Sequence, residues 1–336
     1  MMEPLLEVNN LGVEIPTRHG TVHAVQGISY ELGRGERLGI MGESGSGKTI
    51  AALAVMRLLL PPARVVSGTV SFDGRNLLEM SVRAIDRWRG AEASMIFQDP
   101  LTALNPFLRI GIQVSEGLEI HRGLSRTKAL VEARRLLERV QISDPERRID
   151  EFPHQISGGM RQRVAIAIAM ATRPKMIVAD EPTTALDVTA QANILDLLRQ
   201  MAAEEGTSVI LITHDPAVVA DFCERVVVMY AGRIVEQGTV DEVMDLPLHP
   251  YAQALLESVP QMSGPRERRL TAIPGAPPDL TRPSEGCPFA PRCRQAKDRC
   301  RTERPLLRTG PSGRSVACHF APLPETPVIR GGGASR

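Results

Sequence analysis

A glycine-rich loop that ends in a lysine and a threonine is the feature of this sequence with the clearest chemical use. It fits the phosphate-binding pattern GxxxxGK[ST] at every specified position. The glycines let backbone N–H groups turn inward around an anion, the lysine reaches the β- and γ-phosphates, and the threonine hydroxyl ligates magnesium. The loop therefore predicts a nucleoside triphosphatase. Its residues are Gly42, Glu43, Ser44, Gly45, Ser46, Gly47, Lys48 and Thr49.

Two adjacent carboxylates follow a hydrophobic run at residues 176–179, which predicts a buried strand. In a protein with a phosphate loop, such a strand end supplies an aspartate that holds magnesium through its water shell and a glutamate that takes the proton of the attacking water. Asp180 and Glu181 fit these two roles. The alternative is a solvated turn.

Gln98 and His214 close two further predicted strands, at residues 94–97 and 208–213. An amide at the position of Gln98 can orient water or bind magnesium, and a histidine at the position of His214 can sense the γ-phosphate. A lone histidine at a strand end is more often structural, so the pattern alone leaves the role of His214 open.

Ser157, Gly158 and Gly159 precede a helix predicted over residues 160–171. They form either a second anion-binding helix N-terminus or an ordinary N-cap followed by a flexible turn. His19 lies in a predicted turn, where it either stacks on an adenine ring or has no such role.

The strands and helices that must position these groups alternate along the chain. Residues 36–41 predict a buried strand before the phosphate loop, and residues 50–60 predict a helix after it. Asp73-Gly74 predicts the turn of a hairpin, and residues 127–140 predict an amphipathic helix in an inserted helical region. An antiparallel patch of short strands is predicted at residues 11–15, 22–25 and 28–32.

Composition predicts one large domain with an appendage, or two domains. The chain has 336 residues, of which 43% are hydrophobic, and a formal net charge of +1 that argues against nucleic-acid binding through overall charge. Residues 261–336 carry 14 Lys and Arg against 6 Asp and Glu, and 13 of the 26 prolines lie at Pro260 or later. Since this proline density breaks helices and central strands, we expect a boundary between residues 240 and 265.

The sequence predicts a cytoplasmic chain. No segment approaches ~18 uninterrupted apolar residues, and the start of the chain lacks the regions of a signal peptide. In that compartment the five cysteines are expected to be thiols or metal ligands rather than disulfides.

Taken together, these motifs resemble those of the ATP-binding subunit of an ABC transporter. The resemblance covers about residues 5–245 and rests on GESGSGKT, FQDP, ISGGM, MIVADEPTTALD and ITHD, in that order. It implies an α/β P-loop NTPase fold with an antiparallel β subdomain, an inserted helical subdomain at about residues 100–172 and a cysteine-containing C-terminal extension. The predicted domains are residues 1–250 and residues 251–336.

The resemblance also implies roles for particular residues around ATP and magnesium. Ser157, Gly158 and Gly159 contact the nucleotide of the opposite subunit, so that each ATP lies between two subunits. The implied roles on the chain's own nucleotide are phosphate contact by Lys48, magnesium contact by Thr49, Gln98 and Asp180, general base by Glu181, D-loop residue Asp187 and switch histidine His214.

Longer strings indicate a branch of this family. QDPLTALNP, PHQISGGMRQRVAIA and the segment that begins at His249 resemble subunits of dipeptide and oligopeptide importers, where methionine is usual at the position of Met160. The branch implies peptide uptake at the cytoplasmic face of the membrane. The implied partners are a second ABC ATPase subunit (a paralogue or a copy), two integral membrane permease subunits and an extracytoplasmic solute-binding protein, with no nucleic acid.

Four cysteines of the tail follow the spacing Cx5Cx6Cx17C: Cys287, Cys293, Cys300 and Cys318. Zinc sites usually show CxxC pairs, whereas four thiolates on proline-rich loops suit a cubane iron–sulfur cluster. The resemblance agrees, since some peptide-importer subunits carry such a 4Fe-4S cluster. Zinc and unmetallated thiols remain alternatives, and Cys223 is expected to be an ordinary, partly buried thiol.

Three other functions remain compatible with the sequence. A soluble ABC ATPase that acts on nucleic acid or ribosomes shares the motifs, and the basic tail supports it. A redox-responsive regulator would use the cysteines instead of transport. An importer of another small solute, such as nickel, would use the same subunit.

Overall fold

The computed structural model describes residues 3–184, 187–258 and 273–323. Three sequence predictions fall partly outside these ranges. They concern the start of the chain at Met1-Met2, the pair Ala185-Leu186 of the MIVADEPTTALD motif, and residues 259–272 and 324–336 of the predicted extension.

Strands and helices alternate through much of the described chain. The strands are β1 (Leu6–Thr17), β2 (Gly20–Leu32), β3 (Arg37–Met41), β4 (Arg64–Phe72), β5 (Arg75–Asn76), β6 (Ala93–Ile96), β7 (Met176–Asp180), β8 (Ser208–Thr213), β9 (Arg225–Tyr230), β10 (Arg233–Thr239), β11 (Arg308–Thr309) and β12 (Ser315–Val316). The helices are α1 (Lys48–Val55), α2 (Val82–Trp88), α3 (Pro100–Ala103), α4 (Ile110–Arg122), α5 (Arg126–Arg139), α6 (Pro145–Arg148), α7 (Gly158–Met170), α8 (Val188–Glu205), α9 (Pro216–Phe222), α10 (Val240–Asp245), α11 (Pro250–Glu257) and α12 (Asp298–Thr302).

The chain divides into two compact units. The helical unit comprises Met1–Leu5, Leu32–Glu36 and Asn76–Leu211. The phosphate-loop unit comprises Leu6–Glu31, Arg37–Arg75 and Ile212–Arg336. The predicted extension thus shares a unit with the phosphate loop, while the predicted division near residue 250 stays a prediction.

Two sheets build the phosphate-loop unit. One has the order β2-β1-β4-β5, and β1 and β4 are antiparallel. In the other, the order β11-β12-β10-β9-β3 includes a parallel pair, β9 with β3. The hairpin turn is confirmed, since Asp73 and Gly74 both have positive φ, as the type I′ turn between β4 and β5 requires. The two short strands predicted within residues 22–32 are one strand, β2.

The extension adds strands to the edge of the second sheet. β12 pairs antiparallel with β10, with Val316 opposite Glu236, and β11 pairs with β12. The Ala317 N–H continues this contact by donating to the carbonyl oxygen of Val235 at 2.8 Å. Pairing with a strand of the main fold is therefore one way in which this proline-rich segment is held.

The helix after the phosphate loop is shorter than predicted. α1 ends at Val55, and Arg57 has a left-handed φ of 52° that ends the helical path. Leu60, which was predicted to be helical, is 80% exposed. It precedes a proline, and the proline ring disfavours the helical conformation in the residue before it.

The helical unit contains a parallel pair of strands, β6 and β7, with β8 next to β7. The amphipathic helix is confirmed as α5, which buries Ala129, Ala133, Leu136 and Leu137. The predicted strand at 94–97 is wrong at its end, because β6 stops at Ile96 and Phe97 is 40% exposed. Among the residues that the structure describes, no helix is both long and apolar enough to cross a membrane.

Candidate nucleotide site and four-cysteine cavity

The phosphate loop is packed so closely that two of its glycines have no room for a side chain. A Cβ on Gly42 would lie 2.2 Å from the carbonyl oxygen of Met229, and a Cβ on Gly47 would lie 2.4 Å from that of Ala24. Lys48 is buried, and its Nζ donates to the carbonyl oxygens of Gly42 at 2.7 Å and Glu43 at 2.9 Å. The loop conformation is therefore fixed by its surroundings and by its own lysine.

A pair of alanine variants tests this packing. Gly45 has a positive φ, as Gly47 does, but a Cβ added there meets nothing within 4 Å. Gly45→Ala should cost about 1–2 kcal/mol of folding free energy through backbone strain alone. Gly47→Ala should cost about 1–3 kcal/mol more and weaken ATP binding, because the loop must move. Urea unfolding and nucleotide titration of both variants check this, and equal effects would contradict it.

The loop also has the groups that a phosphate needs. Ser46 is buried, and its Oγ has no hydrogen-bond partner among the described residues. The space above Gly45 is open. Thr49, in the first turn of α1, is exposed. A buried hydroxyl without a partner is costly, so this loop fits a phosphate ligand that would accept its hydrogen bond.

The helical unit holds the two carboxylates at the end of β7. Asp180 is buried, and Glu181 has a left-handed φ of 47°, which is rare for a residue with a side chain. Oε2 of Glu181 accepts hydrogen bonds from Nε2 of Gln98 at 3.0 Å and Oγ1 of Thr184 at 2.9 Å. The structure thus brings Gln98 and Glu181 together and adds Thr184, whose contact with the carboxylate the sequence did not predict.

The Ser157 side chain caps α7 by accepting from the N–H of Met160 at 3.4 Å. A Cβ on Gly158 or Gly159 would meet nothing within 4 Å, so the described residues of this chain do not require glycine at either position. Ser157 and Gly158 are exposed. This helix start is therefore open to another molecule.

The remaining predicted site residues are exposed. Asp187 caps α8 by accepting from the N–H of Ala190 at 2.9 Å. His214 follows β8, and His19 lies in the turn between β1 and β2, as predicted. His19 and His214 belong to the phosphate-loop unit with Lys48 and Thr49, whereas Gln98, Ser157, Asp180 and Glu181 belong to the helical unit.

One small cavity of about 20 Å³ is lined by all four cysteines of the tail, Cys287, Cys293, Cys300 and Cys318. The first and the last of them are 31 positions apart in the sequence. The Cys287 N–H donates to the carbonyl oxygen of Cys300 at 2.8 Å. Burial raises the pKa of Cys287 to about 11, and burial lowers the pKa of His249, at the same cavity, to about 3. At neutral pH, without a bound cation, both groups are therefore uncharged.

The donor set suits soft metal chemistry, but the cavity is compact. It has room for about one water molecule, so a larger group requires the cysteine side chains to move apart. Within the described ranges, no group of three or more His, Cys, Asp or Glu residues is placed to hold a metal ion. Cys223, outside this cavity, is a buried thiol, close to its predicted environment.

Comparison with known families agrees with the site. Residues 25–184 match the model of the ABC transporter family, and residues 235–300 match the C-terminal region of oligopeptide and dipeptide transporters. Among solved structures, a dimeric ATP-binding cassette bound to ADP and phosphate, MJ0796, is 28% identical with a TM-score of 0.64. The match covers 70% of this chain and 98% of that one. The fold and site thus define an ABC-type ATPase.

Full-length relatives identify the branch. The oligopeptide transport ATP-binding protein OppD of Salmonella typhimurium is 47% identical over 96% of this chain and 95% of its own length. Its Bacillus subtilis counterpart is 50% identical over 86% of this chain and 81% of its own. The chain belongs to the family of ATP-binding subunits of oligopeptide and dipeptide ABC transporters. The predicted fold class and family are confirmed, whereas these comparisons give no support for an iron–sulfur cluster.

Proposed function

We propose that this chain hydrolyses ATP by general-base attack of water, with Glu181 as the base. The observation that carries the proposal is the carboxylate of Glu181, held at the end of β7 by Gln98 and Thr184. Two donors to one oxygen orient the carboxylate toward its role of taking the proton of a water molecule. The left-handed backbone at Glu181 is consistent with a functional position.

Other residues bind the nucleotide and its metal. Lys48 and the loop amides contact the phosphates, and Thr49, Asp180 and Gln98 hold magnesium directly or through water. Magnesium, when bound, neutralises charge that develops on the γ-phosphoryl group. His214 contacts the γ-phosphate, and His19 stacks on the adenine ring.

The opposite subunit completes each ATP site. Ser157, Gly158 and Gly159 donate to the nucleotide bound by the partner, and Asp187 lies at the same interface. The open space at both glycines supports this role. So does the dimeric state of the MJ0796 cassette bound to ADP and phosphate.

Hydrolysis is coupled to peptide uptake. The chain works at the cytoplasmic face of the membrane with permease subunits and a solute-binding protein, and the opposite ATPase is a paralogue. The relatives named for oligopeptide transport, aligned over 95% and 81% of their own length, support this assignment. We also propose the division into an ATPase domain at residues 1–250 and an extension at residues 251–336.

A purification from the native host tests the transport assignment. The tagged chain is extracted in mild detergent under anaerobic conditions, and co-purifying proteins are identified. We expect two integral membrane proteins and a second ABC ATPase. A chain that arrives with ribosomes or nucleic acid, or alone, would contradict transport while leaving the ATPase assignment in place.

The same preparation tests whether Cys287, Cys293, Cys300 and Cys318 hold a 4Fe-4S cluster, as we also propose. All four thiols line one cavity, which supports a shared ligand, and their side chains must move apart to admit a cluster. About four irons and four acid-labile sulfides per chain are expected. One zinc per chain would mean that the cysteines form a zinc site. A preparation with neither iron nor zinc would mean that they are four structural thiols.

A further inference from the structure

Arg292 of the C-terminal extension binds the side chain of Glu43 in the phosphate loop. Nη1 and Nη2 of Arg292 donate to the two carboxylate oxygens of Glu43, at 2.7 and 3.0 Å. The Arg292 side chain is only 4% exposed. A two-pronged arginine–carboxylate pair of this kind fixes geometry as well as charge.

Arg292 is itself held on its other side. Its Nε donates to the carbonyl oxygen of Pro274 at 2.8 Å, and Nη1 also reaches the Tyr230 hydroxyl at 3.2 Å. Tyr230 packs against the ring of Tyr251, with centroids 4.5 Å apart. The contacts with Pro274 and Tyr230 therefore fix the position of the guanidinium independently of Glu43.

A second contact holds the backbone of the same loop residue. The Glu43 N–H donates to the Tyr251 hydroxyl at 2.7 Å. Both the side chain and the amide of Glu43 are thus fixed by groups that follow the nucleotide-binding motifs in the sequence.

Glu43 presents an electrostatic problem that Arg292 solves. Glu43 is the one acidic residue in the phosphate loop, residues 42–49. This loop binds the phosphates of a nucleotide, which are negatively charged. An uncompensated carboxylate beside the phosphates would repel them, whereas a carboxylate paired with arginine adds no net charge.

We propose that Arg292 is a positioning residue for nucleotide binding, which makes the C-terminal extension part of the ATP site. Arg292 neutralises Glu43 and orders the loop before ATP arrives, so that less ordering entropy is lost on binding. This inference rests on the proposed binding of ATP at the phosphate loop. It adds to that site a residue that lies 249 positions after Glu43 in the sequence.

The test measures ATP affinity and turnover of the full chain. Arg292→Ala should weaken ATP binding ~10-fold or more, seen as a raised Kd for a fluorescent ATP analogue and a raised KM. Saturating ATP should restore kcat to within about threefold of the unmodified chain, because the catalytic groups remain. Arg292→Lys should be intermediate, since it keeps the charge and loses the fork.

Two further variants separate positioning from simple stabilisation. Arg299→Ala removes an arginine of the same extension that pairs with Glu303 on the surface, and it should leave ATP affinity unchanged. Glu43→Gln combined with Arg292→Ala should bind ATP more tightly than Arg292→Ala alone, because the unpaired carboxylate is gone.

The outcomes are distinguishable. Unchanged ATP affinity in folded Arg292→Ala overturns the inference, as does a double variant that binds no better than the single one. If Arg292→Ala does not fold, Arg292→Lys decides: weaker binding at an unchanged unfolding midpoint supports the inference, and unchanged binding overturns it. An unmodified chain that binds ATP no better than Lys48→Ala would remove the proposed function, and the inference with it.

Discussion

Replacing Glu181 with glutamine is expected to slow ATP hydrolysis by ~10²–10⁴, or about 3–5 kcal/mol of barrier, and to leave ATP binding intact. Glutamine has nearly the same shape and still accepts hydrogen bonds from Gln98 and Thr184 through its carbonyl oxygen. It cannot take a proton from water at neutral pH. The variant therefore removes the base while preserving the local contacts.

Single-turnover hydrolysis and equilibrium ATP binding, measured on the same preparation, check this expectation. Glu132→Gln is the matched control, because it makes the same chemical change on the surface of α5, where the carboxylate pairs with Arg135. Thr184→Ala removes one of the two donors and should give a smaller loss of rate. Undiminished turnover in Glu181→Gln would exclude Glu181 as the base.

The features that sequence predicted best are those whose determinants are local. The phosphate loop lies between a strand and a helix because residues 36–55 specify all three elements within a short stretch. The start of α7 at Gly158 follows from a serine cap next to it. The carboxylates at the end of β7 follow from a hydrophobic run that stops at Asp180.

What sequence did not predict depends on partners that are distant along the chain. Thr184 is three residues from Glu181, but a threonine there carries no signal of its own until its hydroxyl is seen on the carboxylate. In the sequence alone, Arg292 is indistinguishable from the other basic residues of the tail. Its role appears only when the fold places it on Glu43, which is a matter of tertiary packing and not of pattern.

The basic character of the tail gains a physical explanation from the same observation. Arg292 and Arg314 are buried, and each is paired with a carboxylate from the acidic body of the chain, Glu43 and Glu236. Part of the charge asymmetry between body and tail is thus internal neutralisation. These two arginines are unavailable for the nucleic acid that a basic tail would otherwise suggest.

Arg314→Ala is expected to destabilise the protein by about 3–5 kcal/mol, because it leaves a buried carboxylate without its cation. Arg314 is 1% exposed and Glu236 is 0% exposed. The guanidinium donates to Oε1 of Glu236 and to the carbonyl oxygen of Leu246. It therefore links the segment around β12 to β10 and to the residue that follows α10.

The carboxylate of Glu236 has other donors, which set the scale of the effect. The N–H groups of Leu248 and His249 donate to it at 2.8 to 3.1 Å. These neutral donors solvate the charge only in part, since a hydrogen bond to an ion does not cancel its burial. Glu236→Gln combined with Arg314→Ala should therefore recover part of the lost stability.

Urea unfolding of the unmodified chain and the variants measures these differences, and Arg299→Ala is the matched control. Arg299→Ala removes an arginine–carboxylate pair of the same extension. Because that pair is exposed to water, its loss should shift the unfolding midpoint little. Equal midpoints for Arg314→Ala and Arg299→Ala would mean that burial of the pair is not what holds the extension. A large loss confined to Arg314→Ala, with partial recovery in the double variant, would identify the uncompensated charge of Glu236 as its cause.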